Sequence, residues 1–400
     1  MTNRYGEALE RVRSQPDFVD LIDTNFHRCG LYPPTDPLET ATRRYLGVGG
    51  AREPYSPDPA GSRDLRAAVA SWYARDGWSL KPSDLIVTAS ASESYSHIFS
   101  SLLPPGSQVL LPSPGYPLFE EVAERRGLEP RFYRLNPDRG WEVDVESLDR
   151  AAGPQTGCVV LISPNNPTGA VVPEETVQLV GAIARKNRAL ILVDEVFSAF
   201  RYTGAPLPRP GPLLLEQPVC TINGASKLFA SPDLKVSWIA LSGPERWVAE
   251  SRERLQVEND LYLNGSPLSQ ECVASLFSST SDPGAQLAAM VGERRLAMER
   301  ALQLANRNLA IGRTAASGVH LDWTPAAAGI HLPVRVRGTI GLDDEELAVR
   351  ALINEHLNVH PGYLYGMEDG RYLVMSFLAP EERIGNGISR LTRLLTRLCG

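Results

Sequence analysis

Short apolar runs, each closed by Gly, Pro, Ser or Asn, recur through the middle of the chain and alternate with stretches of helical periodicity. Leu85-Ile-Val-Thr88, Gln108-Val-Leu-Leu111, Cys158-Val-Val-Leu-Ile162, Ala189-Leu-Ile-Leu-Val193, Val219 to Asn223 and Val236 to Leu241 predict buried strands. Arg63 to Arg75 and Thr176 to Lys186 predict helices, the second preceded by Pro173 and two glutamates that suit a helix N-terminus. Strands that are apolar throughout and separated by helices predict parallel pairing with both sheet faces covered. Beyond residue 244 the pattern changes to longer helices, notably Gly284 to Asn306, Asp343 to His356 and a last helix to Leu398, with strands at Val319 to Trp323, Ile330 to Val336 and Tyr372 to Phe377. The first 50 residues, with Pro33, Pro34, Pro37 and a Gly47-Val-Gly-Gly50 patch, predict an arm and loops.

These elements predict an α/β fold with a large, mostly parallel central sheet sandwiched by helices and a smaller α+β domain from the two chain ends. Residues 1–50 would form the arm and part of the small domain, 51–260 the large domain, and 261–400 the interdomain helices and small C-terminal domain. The length supports this division: 400 residues, 43% of them hydrophobic, can bury more than one core.

Charge narrows the partners. Forty basic against 47 acidic side chains give a net charge of −7, without a basic run, so neither nucleic acid nor an anionic membrane is an expected partner. Cys29, Cys158, Cys220, Cys272 and Cys399 are scattered and odd in number, with no CxxC pair and no metal-ligand spacing, which fits a reducing cytoplasm and no bound metal. The charged N-terminus does not read as a signal peptide, and no apolar stretch is long enough to span a bilayer.

Three segments carry candidate chemistry. Leu190-Ile-Leu-Val-Asp194-Glu195 ends a strand in two acids, at the carboxyl edge where open α/β sheets bind ligands. Alone, this could hold Mg²⁺ in a nucleotide hydrolase or simply mark where a strand meets solvent; the first needs GxxxxGK[ST], which is absent. Ser163-Pro-Asn165-Asn166-Pro167-Thr168-Gly169 follows a strand and reads equally as a turn, and Lys227 of Asn223-Gly-Ala-Ser226-Lys227 reads equally as a solvated lysine.

In this order and spacing the segments, with Tyr55, the Thr88 to Glu93 turn and Pro112 to Pro117, resemble the class I/II aminotransferase superfamily of fold-type I pyridoxal-phosphate enzymes, from roughly Asp23 to the C-terminus. The resemblance implies an aminotransferase-like fold and pyridoxal 5′-phosphate as cofactor. Lys227 would be its Schiff-base lysine and proton shuttle. Asp194 would pair with the pyridine nitrogen and keep the ring an electron sink, and Asn166 would hydrogen-bond the ring O3′. Ser90, Ala91 and Ser92 stand between a strand and a helix, where free amides cradle a phosphate, with Ser226 and Lys235 completing the cup. Lys235 stands where the family usually has arginine. Tyr116 matches the aromatic that stacks on the ring. Tyr55 matches a tyrosine that reaches the neighbouring subunit's phosphate, which implies a homodimer with shared active sites.

Three positions depart from the family pattern. Phe197 replaces a tyrosine that bonds O3′, Gly224 stands where many members carry a hydroxyl, and Val374 replaces the arginine that grips the substrate α-carboxylate. Arg28, in an N-terminal segment that folds over the substrate in the family, is the candidate to take that carboxylate. The implied activity is an aminotransferase-like reaction on an amino acid through external aldimine and quinonoid intermediates. The alternative is γ- or β-elimination, replacement, cyclisation or oxidation in specialised metabolism on the same fold. His97, His331 and His360 read as satisfied residues of the fold, and Glu195 as structural.

Overall fold

A computed structural model describes residues 3–48, 50, 55–202, 207–263, 265–280, 282, 284–311 and 313–399. Gly49 of the glycine patch lies outside them. The N-terminal segment is more ordered than its prolines predict: helices Arg4–Val12 and Thr35–Tyr45 flank a two-residue strand, β1 (Val19–Asp20). Pro34 is the N-cap of the second helix and Pro37 lies in its first turn, where backbone N–H groups have no intrahelical acceptor to lose.

The large sheet contains β2 (Leu85–Thr88), β3 (Gln108–Ser113), β4 (Glu129–Asn136), β5 (Glu142–Val143), β6 (Thr156–Ile162), β7 (Leu190–Asp194), β8 (Val219–Gly224) and β9 (Ser237–Ser242). Their order is β2-β9-β8-β7-β6-β3-β4-β5. Strands β8, β7, β6, β3 and β4 are mutually parallel. All six strands expected here are present, but β9 runs antiparallel to both β8 and β2. The connection from β8 to β9 contains only the one-turn helix Ala225–Leu228, too little for a crossover, so the chain returns in the opposite sense. Strands β4 and β5 were not expected: the charged residues of Glu129–Asn136 mask an inward alternation of Tyr133 and Leu135.

Alternation along β7 decides where its final carboxylate goes. Ile191 and Val193 pack on one face of the sheet with Val177 and Val180. Leu190 and Leu192 pack on the other with Tyr95, Ile98 and Phe99 of helix Ala91–Leu102. Asp194 shares the parity of Leu190 and Leu192 and faces that helix.

The smaller sheet is antiparallel, with β10 (His320–Asp322), β11 (His331–Arg337), β13 (His360–Pro361) and β14 (Tyr372–Ser376) in the order β10-β11-β14-β13. A strand between them in sequence, β12 (Leu357–Asn358), pairs in parallel with β1. Tyr5, Leu21 and Phe26 share a core with Leu302, Leu332, Leu391 and Leu395, so the two chain ends build this lobe together. Phe197, Phe200 and Ala230 of the large lobe enter the same core.

Candidate active site

The parallel order β8-β7-β6-β3 brings four expected residues to one edge of the sheet. Ile162, Asp194 and Ile222 lie in register across β6, β7 and β8. Asn166 follows β6, Asp194 ends β7, Lys227 sits in the one-turn helix after β8, and Tyr116 follows β3.

Lys227 is enclosed by aromatic rings. Its Nζ lies 5.3 Å from the Phe26 ring centroid and 5.8 Å from that of Phe197. Burial lowers its amine from the ordinary 10.5 to about 8, because the charged form loses its water. Asp194 is buried, and Tyr95 Oη donates to its Oδ2 at 3.0 Å while Val196 N donates to Oδ1 at 3.0 Å. Burial raises its carboxyl to about 6, and the two hydrogen bonds oppose that rise.

The Asn166 loop is held by its neighbours. Asn165 Oδ1 accepts from Thr168 N at 3.2 Å and Thr168 Oγ1 at 2.8 Å, and Ser163 Oγ accepts from Val172 N at 3.1 Å. Gly169 has φ +70°, and a Cβ there would meet Ala328 O at 2.3 Å, so only glycine lets the loop approach the small lobe. Asn166 Oδ1 is buried without a partner among the described residues.

At the start of helix Ala91–Leu102, Ser90 Oγ accepts from Glu93 N at 3.1 Å, and the Glu93 side chain accepts from Ala89 N, one residue before the cap. The amides of Ala91 and Ser92 open the helix and have no intrahelical acceptor. Tyr116 is half-exposed and stands edge-on to Phe119, ring centroids 5.6 Å apart.

Other expected residues are less engaged. Ser226 is half-buried, while Lys235, with φ +52°, and Tyr55, at 70% exposure, are open to solvent; none makes a side-chain hydrogen bond with a described residue. Arg28 is exposed and donates from Nε and Nη2 to Asp23 at 2.8 and 2.9 Å. Val374 is fully buried between Pro333 and His360 of the small sheet. At Gly224 an added Cβ would meet Val236 O at 3.0 Å and Ser237 Oγ at 3.1 Å.

Several residues at or beside the site had no sequence signal. Nothing in the sequence singles out Phe26 or Tyr95. Glu195 is paired with buried Arg209, which also donates to Asp76 at 2.8 Å. His360 Nδ1 lies 2.9 Å from Tyr365 Oη. His97 makes no hydrogen bond at either nitrogen with a described residue, and its Nδ1 lies 3.8 Å from Glu258 Oε1. His331 lies edge-on to Phe197 at 6.1 Å, and burial, with Lys227 nearby, lowers its imidazole to about 3.

The profile of the family described as aminotransferase class I and II matches residues 33–387. The chain belongs to this family. Its members use pyridoxal phosphate, and the residues present fit that group: an amine whose protonated form is disfavoured by burial, a buried carboxylate at the sheet edge, an Asn166 oxygen without a partner among the described residues, and open helix amides. This aminotransferase-family chain is 31% identical over 229 residues to nicotianamine aminotransferase 1 of Oryza sativa subsp. japonica, covering 56% of this chain and 46% of that one. It is 33% identical over 219 residues to an S-alkyl-thiohydroximate lyase of Arabidopsis thaliana, covering 54% and 47%. These matches span about half the length of the curated relatives. An alanine aminotransferase structure from Pyrococcus furiosus superposes with a TM-score of 0.85, at 23% identity, covering 98% of this chain and 95% of that one, which shows the shared fold.

Proposed function

We propose that this protein is a pyridoxal-phosphate-dependent aminotransferase acting on an amino acid, working as a homodimer in the cytoplasm. The observation that carries this reading is the convergence of Asn166, Asp194 and Lys227 from three adjacent parallel strands. When bound, the cofactor supplies an aldehyde for the amino group and a ring that accepts electrons as the Cα–H bond breaks. Lys227 would hold that aldehyde, and its Nζ would take the substrate's α-proton. An amine lowered to about 8 is partly neutral near neutral pH and can do so. Asp194 holds the ring-nitrogen proton, Asn166 orients O3′, and the amides of Ala91 and Ser92 take the phosphate with Ser226 and Lys235. Tyr116 covers one face of the ring.

Val374 supplies no charge for the substrate carboxylate, so we assign that contact to Arg28. The carboxylate would compete with Asp23 for the guanidinium, at the end of the Phe26-to-Arg28 segment whose Phe26 packs against Lys227.

The homodimer reading rests on exposed apolar side chains: Leu46, Tyr55, Val257, Leu261, Tyr262 and Leu263 are all more than half exposed. Tyr55 would enter the neighbouring site from this face. The cytoplasmic reading rests on five unpaired cysteines. No helix among the described residues is long and apolar enough to cross a membrane.

The test is an amino-acid screen of the loaded protein by absorbance, with the cofactor identified afterwards and the mass measured in solution. Pyridoxamine phosphate and a 2-oxoacid, formed by a dimer, are the expected result. Ammonia and a 2-oxoacid with the cofactor unchanged would overturn transamination, pointing to elimination where a β- or γ-substituent is released with them and to oxidation where dioxygen is consumed.

A further inference from the structure

Tyr95 and Asp194 form a buried pair that the roles above leave unexplained. Tyr95 is fully buried and its Oη donates to Asp194 Oδ2 at 3.0 Å, while the other carboxylate oxygen takes the Val196 amide. The phenol is clamped on its other side: the Phe119 ring stacks on it at 4.1 Å and 25°, and Phe99 packs edge-on at 5.8 Å. Phe119 in turn carries Tyr116. The helix that bears Tyr95 is pinned to β2 by the 2.7 Å contact between Thr88 Oγ1 and Ser94 Oγ, and its first turn holds Ala91 and Ser92. One rigid element thus carries both the expected phosphate amides and the hydrogen-bond donor to the acid.

We propose that Tyr95 is the positioning residue of this site: its hydroxyl aims the Asp194 carboxylate at the cofactor's ring nitrogen and keeps it ionised. The proposal rests on the function proposed above. The physical reason is that a buried carboxylate tends to take up a proton, and a protonated acid cannot stabilise a charge on the ring nitrogen; a donor to the ionised form opposes this. The Val196 amide supplies one such donor from the backbone, and among the described residues Tyr95 supplies the side-chain one; its phenol, raised well above the usual range by burial and Asp194, remains a donor.

The other titratable groups around the pair do not supply such a bond. Tyr116 feels Asp194 but stands at the half-exposed wall. Cys158 and Tyr133, near Tyr95, are held neutral by burial. Glu195, adjacent in sequence, is engaged by Arg209.

The test measures pyridoxal 5′-phosphate affinity as a function of pH for the unaltered protein, Tyr95→Phe, Asp194→Asn and the double variant. Tyr95→Phe should weaken affinity about tenfold at neutral pH, the size of one charge-assisted hydrogen bond. It should also move the acid limb of the profile to higher pH. In the Asp194→Asn background the same change should do almost nothing, because the carboxylate on which Tyr95 acts is gone. Replacing Tyr95 by 3-fluorotyrosine, a stronger donor of nearly the same shape, should move the acid limb the other way and keeps the question open to measurement if the phenylalanine variant does not fold. An unmoved acid limb, or an equal loss in both backgrounds, overturns the positioning role while leaving the function in place. Failure of the unaltered protein to bind the cofactor overturns both.

Discussion

The amine of Lys227 lies 5.3 Å from the centre of the Phe26 ring, so the N-terminal segment helps to enclose the residue expected to carry the chemistry. Burial without a carboxylate partner makes the neutral amine the favoured form above about pH 8. The rate at which cofactor-free protein captures pyridoxal phosphate should therefore rise with pH to a midpoint near 8 and then level off. A midpoint close to 10.5, the ordinary lysine value, would place Lys227 in solvent.

Asp194→Asn should leave the fold intact and lower turnover by at least about a hundredfold, or ~3 kcal/mol of barrier, because the amide cannot hold the ring-nitrogen proton. Turnover within threefold of the unaltered protein would mean that the nitrogen is held by another group.

Phe197 lies 5.8 Å from Lys227 Nζ. Phe197→Tyr should bring a phenolic donor towards O3′, stabilise the anionic form of the loaded cofactor and move its absorbance-against-pH midpoint to lower pH. An unchanged curve would show that the ring is not beside O3′.

Arg28 is 69% exposed at its side chain, so its ion pair with Asp23 should contribute only ~0–1 kcal/mol to folding. Arg28→Ala should leave thermal stability and cofactor affinity nearly unchanged and weaken amino-acid binding sharply. Equal amino-acid affinity, read by spectral titration, removes Arg28 from the site.

Glu195 and Arg209 are almost wholly buried as an ion pair, with Asp76 as a second acceptor. Removing one partner strands the other charge, so Arg209→Met should destabilise the protein by ~3–5 kcal/mol, read in denaturant unfolding. A loss below ~1 kcal/mol would show that Glu195 is protonated in the fold.

The sequence by itself determined six strands of the large sheet and the family, because these depend on local signals. Six apolar runs could only be buried strands, and Asn166, Asp194 and Lys227 are carried by segments whose order and spacing are distinctive. Strand direction was not local: β9 looks like its parallel neighbours, and only the short Ala225-to-Val236 connection reverses it. The same holds for side-chain contacts. Tyr95 and Phe26 are apolar-face aromatics in sequence, and each becomes part of the site only when sheet alternation turns Asp194 towards one helix and the chain ends fold together over Lys227.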